Sequence, residues 1–473
     1  MTIAAPTDVP AAPAREPAPL GCVQAYRFAL DPTPRQQRAL ASSAGGARFC
    51  FNWGLEHVKQ LLDRRAAGEP VEVPWSLYAL RRAWNQAKDE VAPWWPENSK
   101  EAYNSGLDGL ARALKNFSDG RSGKRKGPRV GFPRFRKRGR TKAAVRFTTG
   151  TIRVEADRKH VTLPRLGALR THESTRKLAR RLEAGSARIL SATVSRTGGR
   201  WFVSFTCQVT RTVPARAARP PRVVAADAGV TQLLTLSTGE RIPNPAALRH
   251  ALVRLRRLNR QLARRKGPRT PAGGYREPSA NWLDAKAELA RAHARVANLR
   301  RDALHQATSR LAREYDLVVV EALRVANLLR RARGKRGLNR ALADAALAEL
   351  RRLLGYKCPW AGSVLLEADP FFPSSKSCSG CGVVKATLPL TERVFRCDAC
   401  GLVVDRDVNA ALNLAALASS RLVTVIGDAG QRAGAGSGPG PSTARGGQVR
   451  PRVRAGHRSA KREAGTGLSL QAG

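Results

Sequence analysis

Acidic residues are scarce in this chain: 36 Asp and Glu stand against 84 Lys and Arg, a formal balance of +48 over 473 residues. Self-repulsion on that scale penalises a compact state unless a polyanion neutralises it, which points to nucleic acid as the partner. Also missing is any run of about 18 apolar residues, so no helix is expected to span a membrane. The first 21 residues, MTIAAPTDVPAAPAREPAPLG, lack the early basic cluster and apolar stretch of a secretory signal, and a cytoplasmic location is expected. Cysteine is sparse outside one cluster. Cys22, Cys50, Cys207 and Cys358 are scattered, while Cys378, Cys381, Cys397 and Cys400 are grouped. That pattern argues against a disulfide framework and for metal binding in a reducing compartment. The scattered four are expected as small buried hydrophobes. What remains is a chain 42% hydrophobic and long enough for two or three domains.

Residues 1–21 are rich in Pro and Ala, and residues 427–473 in Gly, Pro, Ser and Arg without apolar periodicity; neither buries enough surface to offset chain entropy, so both are expected to be disordered. The alternation in VQAYRFAL, from Val23, predicts a strand, and the stretch that follows predicts helices up to about Phe117. Arg188 to Val209 reads as two alternating apolar runs around TGG, a β-hairpin signal. Between these lies RSGKRKGPRVGFPRFRKRGRTK, Arg121 to Lys142, in which 11 of 22 residues are Lys or Arg and none is acidic. It is either a solvated face or a nucleic-acid contact. In the second reading Lys124, Arg125, Lys126, Arg129, Arg134, Arg136, Lys137, Arg138 and Arg140 meet phosphates, and Phe132 and Phe135 offer stacking surfaces.

The carboxylates are few enough to follow singly. VVAADAGV ends a strand at Asp227, where an Asp is either a turn former or a functional group. Helical periodicity follows over 251–266 and from about Asp284 to Glu314, with arginines covering the exposed faces. DLVVVEAL is a continuous apolar run typical of a strand buried on both faces, and it ends at Glu321. A carboxylate there must be paired, hydrogen-bonded or metal-bound. SVLLEADP predicts one more strand. Asp405 and Asp407 immediately precede the helix NAALNLAALA. An early-strand Asp, a late-strand Glu and an Asp at the head of the last helix are either structural or the ligands of Mg²⁺, a hard ion suited to phosphodiester hydrolysis. The cysteines are spaced C-x₂-C-x₁₅-C-x₂-C, which predicts a zinc ribbon with a closed, structural Zn²⁺ site, a redox dithiol being the alternative.

Taken in order, YRFALDPTPRQ, ARFCFNWGLE, GFPRFRKRGR, VTLPRLGALR, VVAADAGV, NLRRDALHQATSRLAREYDLVVVEAL, GYKCPWAG, FPSSKSCSGCG and CGLVVDRDVNAALNLA resemble the TnpB (OrfB) family of insertion-sequence-encoded, RNA-guided DNA endonucleases related to type V CRISPR effectors. The likeness runs from about Val23 to Ala418. It implies an α+β multidomain fold: a wedge-type β-domain over 22–220 with a helical recognition insertion at about 32–120 and the basic segment 121–142, then an RNase H-like (RuvC) α/β nuclease domain over 221–426 with a zinc ribbon at about 373–404. It assigns Asp227, Glu321 and Asp407 as the catalytic, Mg²⁺-binding carboxylates, Asp407 rather than Asp405 because it fits D-x-N-A-A, and it implies Zn²⁺ on Cys378, Cys381, Cys397 and Cys400. Guide RNA and target DNA are the implied partners, with a separately encoded transposase of the same element. Ala228, Ala322 and Arg324 depart from the family's usual Leu, Asp and Asn; none of these replaces a metal ligand. Two rivals remain: a guide-directed DNA-binding repressor that does not cut, and a zinc-ribbon RNA-binding protein with no DNA target.

Overall fold

A computed structural model describes residues 15–125, 127–215, 219–270, 273–329, 335–389 and 391–419. Residues 1–14 of the N-terminal segment, Lys126, and the tail 427–473 lie outside the described residues. Residues 18–21, expected to lack structure, instead belong to the first strand, which begins at Ala18.

The first half comprises β1 (Ala18–Ala29), α1 (Pro34–Ala66), α2 (Leu77–Val91), α3 (Lys100–Arg121), β2 (Ala144–Phe147), β3 (Arg153–Val154), β4 (His160–Leu163), β5 (Gly167–Arg170), α4 (Arg176–Glu183), β6 (Ala187–Thr197) and β7 (Arg200–Val213). The TGG signal forms the β6–β7 hairpin. Gly198 and Gly199 take φ of +60° and +83°, the left-handed pair that a two-residue turn between right-twisted strands requires. β1 then pairs antiparallel with β7 along its whole length, giving a sheet of order β1-β7-β6-β2 whose buried face carries Phe147, Val194, Val203 and Phe205.

Between β1 and β2 the chain leaves as three helices with their own core of Leu55, Leu80, Tyr103, Leu107, Leu110 and Leu114. Thr33 opens α1 with a capping box to Gln36 and Pro34 in the first turn, so the Pro-containing turn starts one unbroken helix. α1 and α3 approach so closely at Gly106 that an added Cβ would stand 2.3 Å from the Ala47 carbonyl oxygen. Gly106→Ala is therefore expected to force the helices apart and cost about 1–3 kcal/mol, read as a lowered melting temperature.

The second half comprises β8 (Val223–Ala228), β9 (Gln232–Leu236), β10 (Arg241–Pro243), α5 (Ala247–Ala263), α6 (Ala280–Glu314), β11 (Leu317–Glu321), α7 (Val325–Leu328), α8 (Arg336–Ala345), α9 (Leu347–Ala361), β12 (Val364–Ala368), β13 (Val394–Arg396), β14 (Val403–Asp405) and α10 (Arg406–Ser419). Its five-stranded sheet has the order β10-β9-β8-β11-β12. β8, β11 and β12 are parallel; β9 runs against β8, and β10 against β9. Side chains alternate across the sheet. Val224, Ala226, Val318 and Val320 face α6 and α9, whereas Ala225, Leu317 and Val319 face Leu414 and Ala418 of α10. The continuous apolar run before Glu321 is thus explained by a strand covered on both sides. Entry into this sheet is pinned by buried Asp316, which accepts from the Arg222 N–H at 2.7 Å and pairs with Arg219 at 3.0 Å. Among the described residues no helix is long and apolar enough to cross a membrane.

Candidate active site and metal centre

In the parallel pair β8–β11, Ala226 is opposite Val320, so the next residues, Asp227 and Glu321, stand level near the C-terminal ends of the two strands, Asp227 still paired with Thr235 of β9 and Glu321 with Ala368 of β12. Each lies two positions beyond a residue of the α10-facing set, Ala225 or Val319, so both side chains emerge on the face that α10 covers. Asp407 is in the first turn of α10, which packs on β8, β9 and β11. Three acids separated in sequence are thereby brought to one edge of one sheet.

The electrostatics register this. Burial first, then the charges of Glu321 and Asp407, push the Asp227 carboxyl up to about 7; the Arg406 guanidinium and the Ala228 N–H pull the other way without cancelling them. A carboxylate raised by two neighbouring carboxylates is stabilised by a shared cation, and an all-oxygen donor set fits Mg²⁺. Glu321 Oε1 accepts from the Ser374 hydroxyl, which fixes one of its oxygens.

Asp405 is occupied differently. Its Oδ1 accepts from the Asp407 and Val408 N–H groups at 3.0 and 3.1 Å, the geometry of a helix N-cap, and its Oδ2 accepts from Arg241 at 2.7 Å. One aspartate of the pair builds the helix end, which leaves the other to point from it.

The cysteine quartet lies beside this edge. All four Sγ atoms are within 4.8 Å of one another, with Cys378–Cys400 and Cys381–Cys397 each at 3.6 Å. A tetrahedral Zn²⁺ with Zn–S near 2.3 Å sets its sulfurs about 3.8 Å apart, so the donors fit. N–H groups of Cys400 and Ala399 help pull the Cys397 thiol down to about 6, the direction that favours a thiolate ligand. Cys400, despite the Leu402 N–H pulling it down, is pushed up to about 12 by the three neighbouring sulfurs. Four thiolates cannot coexist here without a cation. Among the described residues this is the one group of three or more His, Cys, Asp or Glu whose ligand atoms already stand together; the three carboxylates, like charges with one tethered to Ser374, are spread wider.

Two residues that the sequence reading passed over couple the sites. Asn409 exchanges bonds with the first cysteine knuckle, accepting from Ser379 N–H at 3.0 Å and donating to Ser377 O at 2.7 Å. Asn413 donates to Ser374 O and Ser377 O, both at 2.7 Å. The available signal was two asparagines four apart in an Ala/Leu-rich helix, where polar side chains on a buried face must find partners.

The basic segment divides. Lys124, Arg129, Arg134, Lys137, Arg138 and Arg140 are exposed, and Arg125 partly so. Arg136 does not join them: its guanidinium lies 3.6 Å from the centre of the Phe51 ring, its backbone exchanges bonds with Asn52, and burial lowers it to about 10. Phe132 packs edge-on against Phe117 at 5.2 Å, within the three-helix core. Both were expected as nucleic-acid contacts; here they anchor the segment, because an aromatic and a long aliphatic stem bury more favourably than they solvate. Phe135 stays exposed with Lys59 over its ring at 4.5 Å. Of the scattered cysteines, Cys50, Cys207 and Cys358 are buried and Cys22 is half-buried.

Three family models match parts of the chain. A family described as a probable transposase of the OrfB_IS605 type matches residues 204–332, a Cas12f1-like TNB domain matches 348–414, and a helix-turn-helix domain of OrfB_IS605 matches 22–66. The last stretch folds here as a strand and a single unbroken helix. A Mycobacterium tuberculosis protein provisionally named an RNA-guided DNA endonuclease is 41% identical over 444 residues, spanning 90% of this chain and 93% of its own. One from Streptomyces pristinaespiralis with the same provisional name is 37% identical, spanning 86% and 91%. One from Escherichia coli K12 is 30% identical, spanning 86% and 94%. Among solved structures, a Cas12f1 complex with guide RNA and target DNA aligns at 12% identity and a TM-score of 0.43, over 84% of this chain and 99% of that one.

Proposed function

Since the chain belongs to the TnpB (OrfB) family, we propose that it is an RNA-guided DNA endonuclease of a transposable element. The observation that carries the reading is the level placement of Asp227 and Glu321 on adjacent parallel strands, with Asp407 in the first turn of the helix that covers them. In this proposal the five-stranded sheet with its flanking helices is an RNase H-like (RuvC) nuclease domain, the cysteine hairpin is its zinc-ribbon insertion, and the four-stranded sheet with its three inserted helices is a wedge-type domain.

Magnesium, when bound at the three carboxylates, supplies Lewis acidity and an activated water for phosphodiester hydrolysis. The chain's own part is to fix those oxygens. Strand register sets Asp227 and Glu321, Asp405 caps the helix that carries Asp407, and Ser374 orients Glu321. Exposed Lys and Arg hold guide RNA and heteroduplex by backbone charge and shape, and base pairing selects the target. Strand transfer is left to a separately encoded transposase of the same element.

The test is cleavage of a plasmid bearing the match to the RNA that co-purifies with the protein, in Mg²⁺ against EDTA. Linear product only with Mg²⁺ is expected. Target binding without any cutting would sink the nuclease reading and leave a guide-directed DNA-binding protein. In the same assay Asp405→Ala is expected to lower stability by about 1 kcal/mol through loss of its cap while cutting falls less than about tenfold. Asp407→Ala should remove cutting altogether.

A further inference from the structure

Phe371 is 79% exposed, although it sits in a tightly fastened loop beside the candidate carboxylates. β12 is in register with β11 so that Ala368 stands opposite Glu321, and the loop leaves the sheet immediately beyond that level. Its backbone is tied in place. Phe371 N–H donates to Asp369 Oδ1 at 2.8 Å, Phe372 N–H to Asp369 O at 3.0 Å, and Ser374 N–H to Phe372 O at 2.8 Å. Ser374 in turn donates its hydroxyl to Glu321, and its carbonyl accepts from Asn413. Phe372 packs against the α10 layer, so the adjacent phenylalanines divide, one inward and one outward. Arg324, three residues after Glu321 and itself exposed, holds its guanidinium carbon 5.4 Å from the Phe371 ring centre.

A large aromatic held out in water by a rigid loop forgoes burial, and a cation beside it adds attraction for phosphate. Stacking on an aromatic face accepts any base, which suits an enzyme whose sequence choice is made by base pairing. We infer that Phe371 and Arg324 form a substrate-positioning platform: a nucleobase of the DNA strand stacks on the Phe371 ring while the adjoining phosphate meets Arg324, setting the next phosphodiester over Asp227, Glu321 and Asp407. This rests on the nuclease reading above.

The test uses the protein with its bound RNA, the guide segment matched to a set of targets in which one nucleotide at a time is replaced by an abasic residue. Wild-type protein is expected to cut the intact target and to slow sharply at one or two abasic positions next to the cleavage point. Phe371→Ala should cut the intact target about tenfold to a hundredfold more slowly. It should also become indifferent to those same abasic positions, and Phe371→Trp should restore both rate and profile. Arg324→Gln provides an independent arm: it should remove the sensitivity to a neutral methylphosphonate at the neighbouring linkage. RNA retention and target binding are expected to stay at wild-type levels in all three variants. Wild-type rates in Phe371→Ala, or slower cutting with the abasic profile unchanged, overturn the platform. Failure of the wild-type protein to cut the intact target overturns the nuclease reading itself and this inference with it.

Discussion

Asp227→Ala is expected to abolish DNA cutting while the protein still retains its RNA and still binds the matched target. A ligand at a catalytic metal supports several kcal/mol of transition-state charge stabilisation, and at 1.36 kcal/mol per tenfold this is a loss of about a thousandfold or more. Binding should survive because most of the exposed Lys and Arg proposed to meet the nucleic-acid backbone, such as Lys124, Arg129, Arg134 and Lys137, lie elsewhere on the chain. A second readout separates this role from a structural one. Burial and the charges of Glu321 and Asp407 raise the Asp227 carboxyl from 3.8 to about 7, so in metal-free protein the folded state favours its protonated form. The associated stability is fully present below the unfolded value near 4 and is lost as pH rises through about 7. Metal-free wild-type protein should therefore melt at lower temperature at pH 8 than at pH 5 by this contribution, and Asp227→Asn should flatten that dependence and raise the melting temperature at pH 8. Thermal melts in EDTA across that range measure it. A variant that loses RNA binding, or melts lower than wild type at pH 8, would count against a functional carboxylate here.

Removing one sulfur should do nearly as much damage by a different route. Cys397→Ser, or prolonged chelation, takes away a ligand from a site of the kind whose apparent metal-binding free energy runs to about 10–16 kcal/mol and is folding free energy for the segment that holds it. The cost does not stop at the hairpin. Asn409 and Asn413 bind the first knuckle and the Ser374 loop to α10, the helix that carries Asp407, and Ser374 also holds Glu321. When the knuckle melts, two of the three carboxylates lose their positioning. Expected are about one zinc per chain in the wild type, a loss of zinc in the variant, and cutting reduced about a hundredfold, the upper end of what outer-shell losses at metal sites cost. RNA retention should persist, since the four-stranded sheet and the three-helix core are built from other residues. A zinc-free variant that cuts normally would show the sulfur and oxygen sites to be independent.

Much of this molecule was legible in one dimension because its signals are local. The hairpin announced itself through two glycines that alone accept positive φ easily, the buried strand through an unbroken apolar run, and the cysteine site through C-x₂-C spacing, since each knuckle is a local turn closed by its own backbone, Gly382 N–H to Cys378 O and Gly401 N–H to Cys397 O. Other features depend on partners far along the chain. No residue ahead of α5 caps it, and the buried Asp344 carboxylate accepts from Leu248 and Arg249 N–H instead. Lys357, within GYKCPWAG, places its ammonium within 2.8 Å of three acceptors on α6, and burial lowers it to about 8. In the basic segment, charge density correctly marked a polar run, yet Arg136 and Phe132 turned inward to anchor it.

The sequence by itself determined the chemistry on offer: a cationic chain, four thiols at metal spacing, and a few acids placed at strand and helix ends. Only the tertiary structure decided which acids meet. Parallel register sets Asp227 level with Glu321, and the covering helix uses Asp405 as its cap so that Asp407 stands free of that duty. The physical reason is that side-chain type and local spacing are written in neighbouring residues, whereas register and the packing of layers are fixed by apolar faces contributed from across the whole chain.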